Sequence, residues 1–302
     1  MPAPSGLLVV DKPAGPTSFD VVARVRRLLR AEKAGHTGTL DPLATGVLAV
    51  CLGEAVKLQQ WLTDGDKGYE ALVAFGAATS TEDAEGEVVA RGDPAALDEG
   101  AIRAALPRFL GEIDQVPPMY SAVRVGGRRL HEAARAGEAV ERAPRRVRVD
   151  AFDLLALGPV EGGLRRARLA VRCGKGTYVR TLAADLGVAL GVPAHLAALR
   201  RVAAGPFTLD DAIPLAELER LHAADPAAAA ARVLPLEAAL RGWPTVQLSA
   251  GEARDLGHGK QLALPAAPAG LCGALTPAGA LLAVCVGQGG VLRPVRVLAA
   301  IR

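Results

Sequence analysis

Gly35-His36-Thr37-Gly38-Thr39-Leu40-Asp41-Pro42-Leu43-Ala44-Thr45-Gly46-Val47-Leu48 carries more backbone and chemical constraint than any other stretch of the 302 residues. Gly35, Gly38 and Gly46 permit a positive φ or the close approach of another backbone, and Pro42 restricts Asp41 to an extended or polyproline II conformation. Asp41 therefore sits on a stiff loop. A carboxylate held between turn formers is either an Asx-type turn residue bonded to its own backbone or a positioned reactive group, and local chemistry leaves both open.

On the N-terminal side of this loop, residues 6–10 read as a short strand ending at Asp11-Lys12-Pro13, with Gly15-Pro16 as a turn. Thr17 or Ser18 is the N-cap of a helix whose Val21, Val22, Val25, Leu28 and Leu29 fall at helical spacing, with Arg24, Arg27 and Arg30 on the solvated side; Gly35 is the expected stop. On the C-terminal side, residues 47–52 form an apolar strand and 55–62 a short helix. Residues 68–76 then alternate, placing Tyr69, Ala71, Val73 and Phe75 on one face of an antiparallel strand, and residues 87–90 continue the strand pattern after an acidic turn. Residues 97–110 are helical, with Ile102, Leu106 and Phe109 on one stripe.

Residues 121–148 are the most basic part of the chain and look like an inserted excursion hinged on Gly126, Gly127, Gly137 and Pro144. Arg124, Arg128, Arg129, Arg135, Arg142, Arg145, Arg146 and Arg148 stand there against Glu132, Glu138 and Glu141. Residues 164–173 alternate cleanly, with Ala167, Leu169, Val171 and Cys173 facing one way and Arg166, Arg168 and Arg172 the other. A helix follows over 177–190, with Gly187 and Gly191 as its candidate ends, and an alanine-rich helical connector interrupted at Asp225-Pro226 runs to 240. Trp243-Pro244 opens a small segment with two short strands over 281–297 around Gly287, Gly289 and Gly290.

Length and the 50% hydrophobic content predict a globular protein of about two domains. The N-terminal apolar run is too short for a secretory segment and no uninterrupted apolar stretch of membrane-spanning length follows, so a cytoplasmic protein and no membrane partner are expected. Cys51, Cys173, Cys272 and Cys285 form no C-x-x-C pair and read as reduced, buried thiols; the five histidines are scattered, so neither a metal nor any other cofactor is expected. A net charge of +3 would not by itself identify a nucleic-acid binder. Monomer is the default state.

The segment around Asp41 resembles the catalytic-aspartate motif of the pseudouridine synthases, in the branch of the tRNA pseudouridine-55 synthases. Asp11-Lys12-Pro13-Ala14-Gly15-Pro16-Thr17-Ser18, Lys67-Gly68-Tyr69-Glu70-Ala71, Pro118-Met119-Tyr120-Ser121-Ala122 and Gly174-Lys175-Gly176-Thr177-Tyr178-Val179-Arg180-Thr181 resemble the same family, in its order. The resemblance implies an α+β fold, a mixed and mostly antiparallel sheet flanked by helices, over residues 1–240 with a basic thumb inserted at about 118–146, and a small barrel-like PUA-type domain over 243–302. It implies isomerisation of the T-loop uridine of tRNA to pseudouridine, with the base flipped out of its stack. Asp41 would act at C1′ of the sugar, and because a carboxylate in a water-excluding site is driven toward its neutral form, a cation must stand beside it; Arg180 matches the family's arginine in that role. Tyr69 matches the tyrosine that stacks on the target base and is a candidate for the proton transfer, His36 the histidine of the flipping loop, and Leu199 the leucine of the pocket floor. Lys12 would buttress the Asp41 loop, Tyr178 orient Arg180 or line the pocket, Asp83 lie near the substrate, and Arg128 and Arg129 of the thumb meet phosphate of the T-stem and loop.

Two other functions compete. A nucleoside or glycoside hydrolase would use Asp41 against C1′ but generally needs a second carboxylate about 5–10 Å away, and the motif stretches offer only Asp11. A non-catalytic tRNA-folding module would use the same basic surfaces without needing Asp41, Tyr69 and Arg180 together.

Overall fold

The computed structural model describes residues 4–298 apart from 122, 123, 126, 127 and 130–139, with 124, 125, 128 and 129 described in backbone only. The chain divides into two compact units: Met1–Leu40, Val47–Thr63 and Ala204–Arg302 form one, and Asp41–Gly46 with Asp64–Ala203 the other. The six residues that begin with Asp41 thus pack with a part of the chain that lies well downstream.

In the first unit, the strand Gly6–Lys12 is longer than residues 6–10 and buried almost throughout, the pattern of a strand covered on both faces. Val10 pairs in parallel with Ile213, and Leu7 exchanges both backbone hydrogen bonds with Leu234. The helix Ser18–Leu28 begins at Thr17, whose side chain accepts from Asp20 N–H while Asp20 reaches back to the Thr17 N–H, a reciprocal capping box. It ends well before Gly35. Arg30 takes a left-handed φ of 51°, Arg30 N–H bonds the Arg27 carbonyl, and Ala31 N–H bonds the Arg26 carbonyl. This is a Schellman end built on an arginine, which a search for glycine or asparagine passes over. The freed residues Ala34–His36 make an edge strand antiparallel to Val50–Leu52. Asp225, read as an interruption, ends the helix Leu215–Ala224 and caps Pro226–Ala230 through its side chain.

The C-terminal part of this unit is a five-stranded sheet in the order Thr245–Gln247, Gly270–Leu275, Leu281–Gln288, Val291–Val297, Leu262–Ala263. Gly289 and Gly290, at φ 58° and 73°, make the two-residue turn of its hairpin, which needs positive φ twice. Trp61 and Trp243 meet edge to face with centroids 6.5 Å apart.

In the second unit four antiparallel strands run side by side, Lys67–Phe75, Leu164–Cys173, Arg145–Glu161 and Gly111–Gln115. Ala194–Ala204 lies on the other side of Lys67–Phe75, and its Arg200 and Arg201 pair in parallel with Thr45 and Gly46. The alternation of residues 164–173 is reproduced: Ala167, Leu169, Val171 and Cys173 are buried, and Arg166, Arg168 and Arg172 are exposed. The buried face packs with Ala71, Val73 and Phe75 against the helices Glu99–Ala105 and Val179–Leu190. Gly191, at φ 69°, ends the second helix, whereas Gly187 lies inside it, where a Cβ would stand 2.6 Å from that of Ala194. The acidic turn joins Ala77–Thr79 to Val88–Arg91 as a separate two-stranded hairpin. In the basic excursion the backbones of Arg124–Val125 and Arg128–Arg129 pair as a small hairpin, while the Arg128 and Arg129 side chains, Arg135, Glu132, Glu138 and Gly137 lie outside the described residues. No helix among the described residues is long and apolar enough to cross a membrane.

Candidate active site

Asp41 opens a tight turn, closed by Ala44 N–H donating to the Asp41 carbonyl at 3.1 Å, with Pro42 in the position that prefers its fixed φ. The residue before it is clamped as well: Leu40 N–H donates to Ser18 Oγ at 2.7 Å, and that hydroxyl donates back to the Leu40 carbonyl at 3.0 Å. The turn leaves the Asp41 carboxylate partly open, at 36% side-chain exposure, facing the guanidinium of Arg180, which is only 5% exposed.

Arg180 is the second residue of the helix Val179–Leu190, a position where the helix dipole disfavours a cation. Two carboxylates offset that. Arg180 Nη2 lies 3.3 Å from Asp41 Oδ2 and Nη1 lies 3.2 Å from Asp83 Oδ2, while Nη2 also donates to the Tyr120 carbonyl at 2.6 Å. The guanidinium carbon stands 5.8 Å from the centroid of the Tyr178 ring, a cation–π contact. Tyr178 itself is fixed through its backbone, donating N–H to Gln115 Oε1 at 2.8 Å and receiving Gln115 Nε2 on its carbonyl at 3.1 Å.

Asp83 is 2% exposed. Besides Arg180, its carboxylate accepts from Thr81 Oγ1 and from Glu85 N–H, the latter at 3.1 Å, which makes it the acceptor of the acidic turn. Glu82 next to it holds a left-handed φ of 65°, a conformation that stores strain in a residue with a side chain. Its ties account for the strain being held: Glu82 Oε2 accepts from Thr181 Oγ1 at 2.6 Å, and its carbonyl accepts Leu196 N–H at 2.9 Å. Burial pushes the Glu82 carboxyl up, against the Thr181 hydrogen bond and the charge of Arg180. Glu82 was given no role from the sequence, because a Thr-Ser-Thr-Glu-Asp run reads as an ordinary solvated turn, and Thr181 was quoted only as the end of the Arg180 motif.

Tyr69 and Leu199 both lie half-buried against the core of their unit. Burial pushes the Tyr69 phenol up; the charge of Arg201 pulls the other way, and the Asp41 charge adds to the upward push. Arg201 was not anticipated, nor was Lys67, buried two residues before Tyr69 and pushed down to about 8 by burial and by the like charge of Arg201. The clue to both is a cation inside an otherwise apolar strand. Thr45 Oγ1 donates to the Leu199 carbonyl at 3.4 Å, joining the Asp41 loop to the strand that carries Leu199 and Arg201. Lys12 and His36 belong to the other unit. Lys12 is fully buried with Nζ donating to the Pro13 carbonyl at 2.9 Å; His36 Nδ1 accepts Gly38 N–H at 3.3 Å, and its carbonyl accepts Gln59 Nε2 at 2.8 Å.

The assembled unit therefore offers a partly open carboxylate on a rigid turn, a buried cation 3.3 Å from it, and an aromatic ring within electrostatic reach. That set suits attack on, or charge stabilisation at, an electron-poor carbon next to a planar ring. Comparison with known proteins bears on which carbon. Residues 26–179 match the TruB family pseudouridylate synthase N-terminal domain, 180–241 the tRNA pseudouridylate synthase B C-terminal domain, and 243–299 the tRNA pseudouridine synthase II C-terminal domain. A tRNA pseudouridine synthase B of Ralstonia nicotianae is 51% identical over 299 residues, covering 97% of this chain and 94% of its own. One from Pseudomonas aeruginosa is 52% identical over 265 residues, 87% of this chain and 85% of its own. Among solved structures, a chain of a Cbf5-Nop10-Gar1 complex superposes with a TM-score of 0.74 at 29% identity, covering 98% of this chain and 86% of that one. A chain of an H/ACA RNP bound to a substrate RNA containing 2'-deoxyuridine gives 0.72 at 26% identity, with 99% and 91% covered.

Proposed function

We propose, because this chain belongs to the TruB family of pseudouridylate synthases, that the site isomerises a T-loop uridine of tRNA, position 55, with Asp41 as the group acting at C1′. The enzyme is a tRNA pseudouridine synthase, an isomerase. The observation that carries the assignment of Asp41 is the 3.3 Å approach of Arg180 to its carboxylate.

Isomerisation breaks the C1′–N1 bond, turns the uracil and joins C1′ to C5, with no group added from outside. The target nucleotide leaves its stack, at a cost of roughly a few kcal/mol, which the pocket offsets by stacking and by hydrogen bonds to the base edge. Tyr69 supplies the stacking face, and Leu199, packed on the same core, closes the floor. Arg180 holds Asp41 charged until C1′ becomes electron-poor, and a guanidinium cannot yield its proton to the carboxylate. His36 steadies the loop that displaces the base, Lys12 supports the Asp41 loop, and the thumb with Arg128 and Arg129 closes on phosphates of the T-stem and loop. The C-terminal sheet adds an RNA-binding surface, and the working form is a cytoplasmic monomer.

The hydrolase reading loses ground on Asp83. Asp83, the second carboxylate on the same arginine, is buried and bound to its own turn, and so is poorly placed to activate a water. The decisive experiment incubates the chain with unmodified tRNA carrying tritium at uridine C5. Tritium release equal to the pseudouridine formed, mapping to the T-loop, is expected. Free uracil would select the hydrolase, binding without release the folding module, and pseudouridine elsewhere in the tRNA would overturn the site specificity.

A further inference from the structure

Two successive residues of the acidic turn hold two successive residues of one helix. Asp83 Oδ2 lies 3.2 Å from Arg180 Nη1, and Glu82 Oε2 accepts from Thr181 Oγ1 at 2.6 Å. Side chains that follow one another along an extended chain point to opposite sides, so a regular strand would turn one of Glu82 and Asp83 away from that helix. The left-handed φ of 65° at Glu82 breaks the alternation. The main chain is tied at the same place. The Glu82 carbonyl accepts Leu196 N–H at 2.9 Å, Ala84 N–H donates to the Leu196 carbonyl at 3.0 Å, and Thr79 Oγ1 donates to the Asp83 carbonyl at 2.6 Å.

A glycine would adopt that φ at no steric cost, so a glutamate there calls for a return from its side chain. The helix Val179–Leu190 shows what the return is. Its N-cap, Tyr178, makes no side-chain capping hydrogen bond, so the first turn is without the local lock that a Ser, Thr, Asp or Asn N-cap supplies. Arg180 stands in that turn, with its guanidinium at the end of a side chain that has much rotamer freedom to lose. A carboxylate on the neighbouring Thr181 hydroxyl fixes the backbone from which Arg180 extends, while Asp83 fixes the far end.

We propose that Glu82 is a positioning residue for Arg180: by holding the Thr181 hydroxyl it pins the first turn of the helix to the acidic turn and keeps the guanidinium at its 3.3 Å approach to Asp41. The assignment rests on the isomerase activity proposed above.

The pin and the rate can be measured separately. Leu182 N–H closes the first turn of the helix on the Tyr178 carbonyl at 3.1 Å. In Glu82→Ala and in Thr181→Val, without tRNA, hydrogen exchange of the Leu182 amide should quicken by at least about fivefold. The single-turnover rate of pseudouridine formation should fall by about fivefold to tenfold, with tRNA affinity held within about threefold. Glu82→Gln and Thr181→Ser, which keep the acceptor and the donor, should recover most of the rate. The double variant Glu82→Ala with Thr181→Val should be no more than about twofold slower than either single change, because both remove one contact. Glu82→Gly relieves the backbone strain as it removes the carboxylate, so its Tm should hold while its rate falls. Unchanged Leu182 exchange, single losses that multiply in the double variant, rates that rank with Tm, or rate and affinity lost together would each overturn the role. A wild-type chain that makes no pseudouridine would overturn the activity instead, and the Leu182 exchange, which needs no tRNA, tells the two failures apart.

Discussion

Arg180 carries two carboxylates on one buried guanidinium, and the two are not equivalent. Asp83 is buried and committed to its turn, whereas Asp41 is partly open. Asp41→Asn keeps the shape and removes the charge: tRNA affinity should stay within about threefold while pseudouridine formation is lost, as expected for an interaction made at the reacting centre. Near wild-type turnover in this variant would remove Asp41 from the chemistry. Arg180→Ala leaves Asp83 buried without its partner, a change typically costing about 3–5 kcal/mol. Arg180→Lys is the cleaner probe because a lysine cannot fork to both carboxylates, and it should lower the rate far more than the affinity; equal losses would point to a phosphate contact. Lys67 is testable through stability. Its ammonium, pushed down to about 8 mainly by burial, is charged in both folded and unfolded states at pH 7 and so opposes folding there. As pH rises above about 8 the folded state loses the proton first, and the penalty fades until the unfolded lysine also titrates near 10.5. Lys67→Met should therefore raise Tm at pH 7, with the gain shrinking between pH 8 and pH 10. A gain independent of pH would place the effect in packing.

Among the elements, those whose pattern is written in neighbouring residues were legible. Leu164–Cys173 alternates because one face is buried and the other wet, and Thr17, one of two candidate N-caps in the sequence, marks the helix start by its side-chain chemistry. The end of that helix was not legible, since Arg30 takes the left-handed position usually held by glycine. Arg30→Gly should relieve about 1 kcal/mol of backbone strain and raise Tm by about 2–4 °C in a chain of this size. A melting temperature that stays put or falls would mean that the Arg30 side chain compensates. The strand Ala194–Ala204 was missed for the opposite reason. Ala-His-Leu-Ala-Ala-Leu-Arg-Arg-Val-Ala-Ala has no period of two, because the strand has neighbours on both sides and carries buried polar groups at His195 and Arg201.

For the molecule as a whole, the net charge of +3 understates the basic character of residues 118–146. If the thumb engages phosphates, the logarithm of tRNA affinity should fall with the logarithm of salt concentration by about 0.7–0.9 per contact, and Arg128→Ala with Arg129→Ala should flatten that slope by one to two contacts. An unchanged slope would leave the segment as a solvated loop. The sequence by itself determined the rigidity of the Asp41 loop, the alternation of the central strands, the basic excursion and, through ordered motifs, the family. Those are properties of residues near one another in the chain, or of types recurring in a fixed order. Tertiary structure decided which cation serves which group. Residues 41–46 pack with a unit made mostly of 64–203, and only that folding brings Arg180 to Asp41, ties Asp83 to the same guanidinium, and sets the Arg201 backbone against Gly46. The Asp41–Arg180 pair could be expected from the ordered motifs, but a charge buried by distant strands leaves no periodic trace in its own neighbourhood, which is why the tie of Asp83 to the same guanidinium had to be seen rather than read.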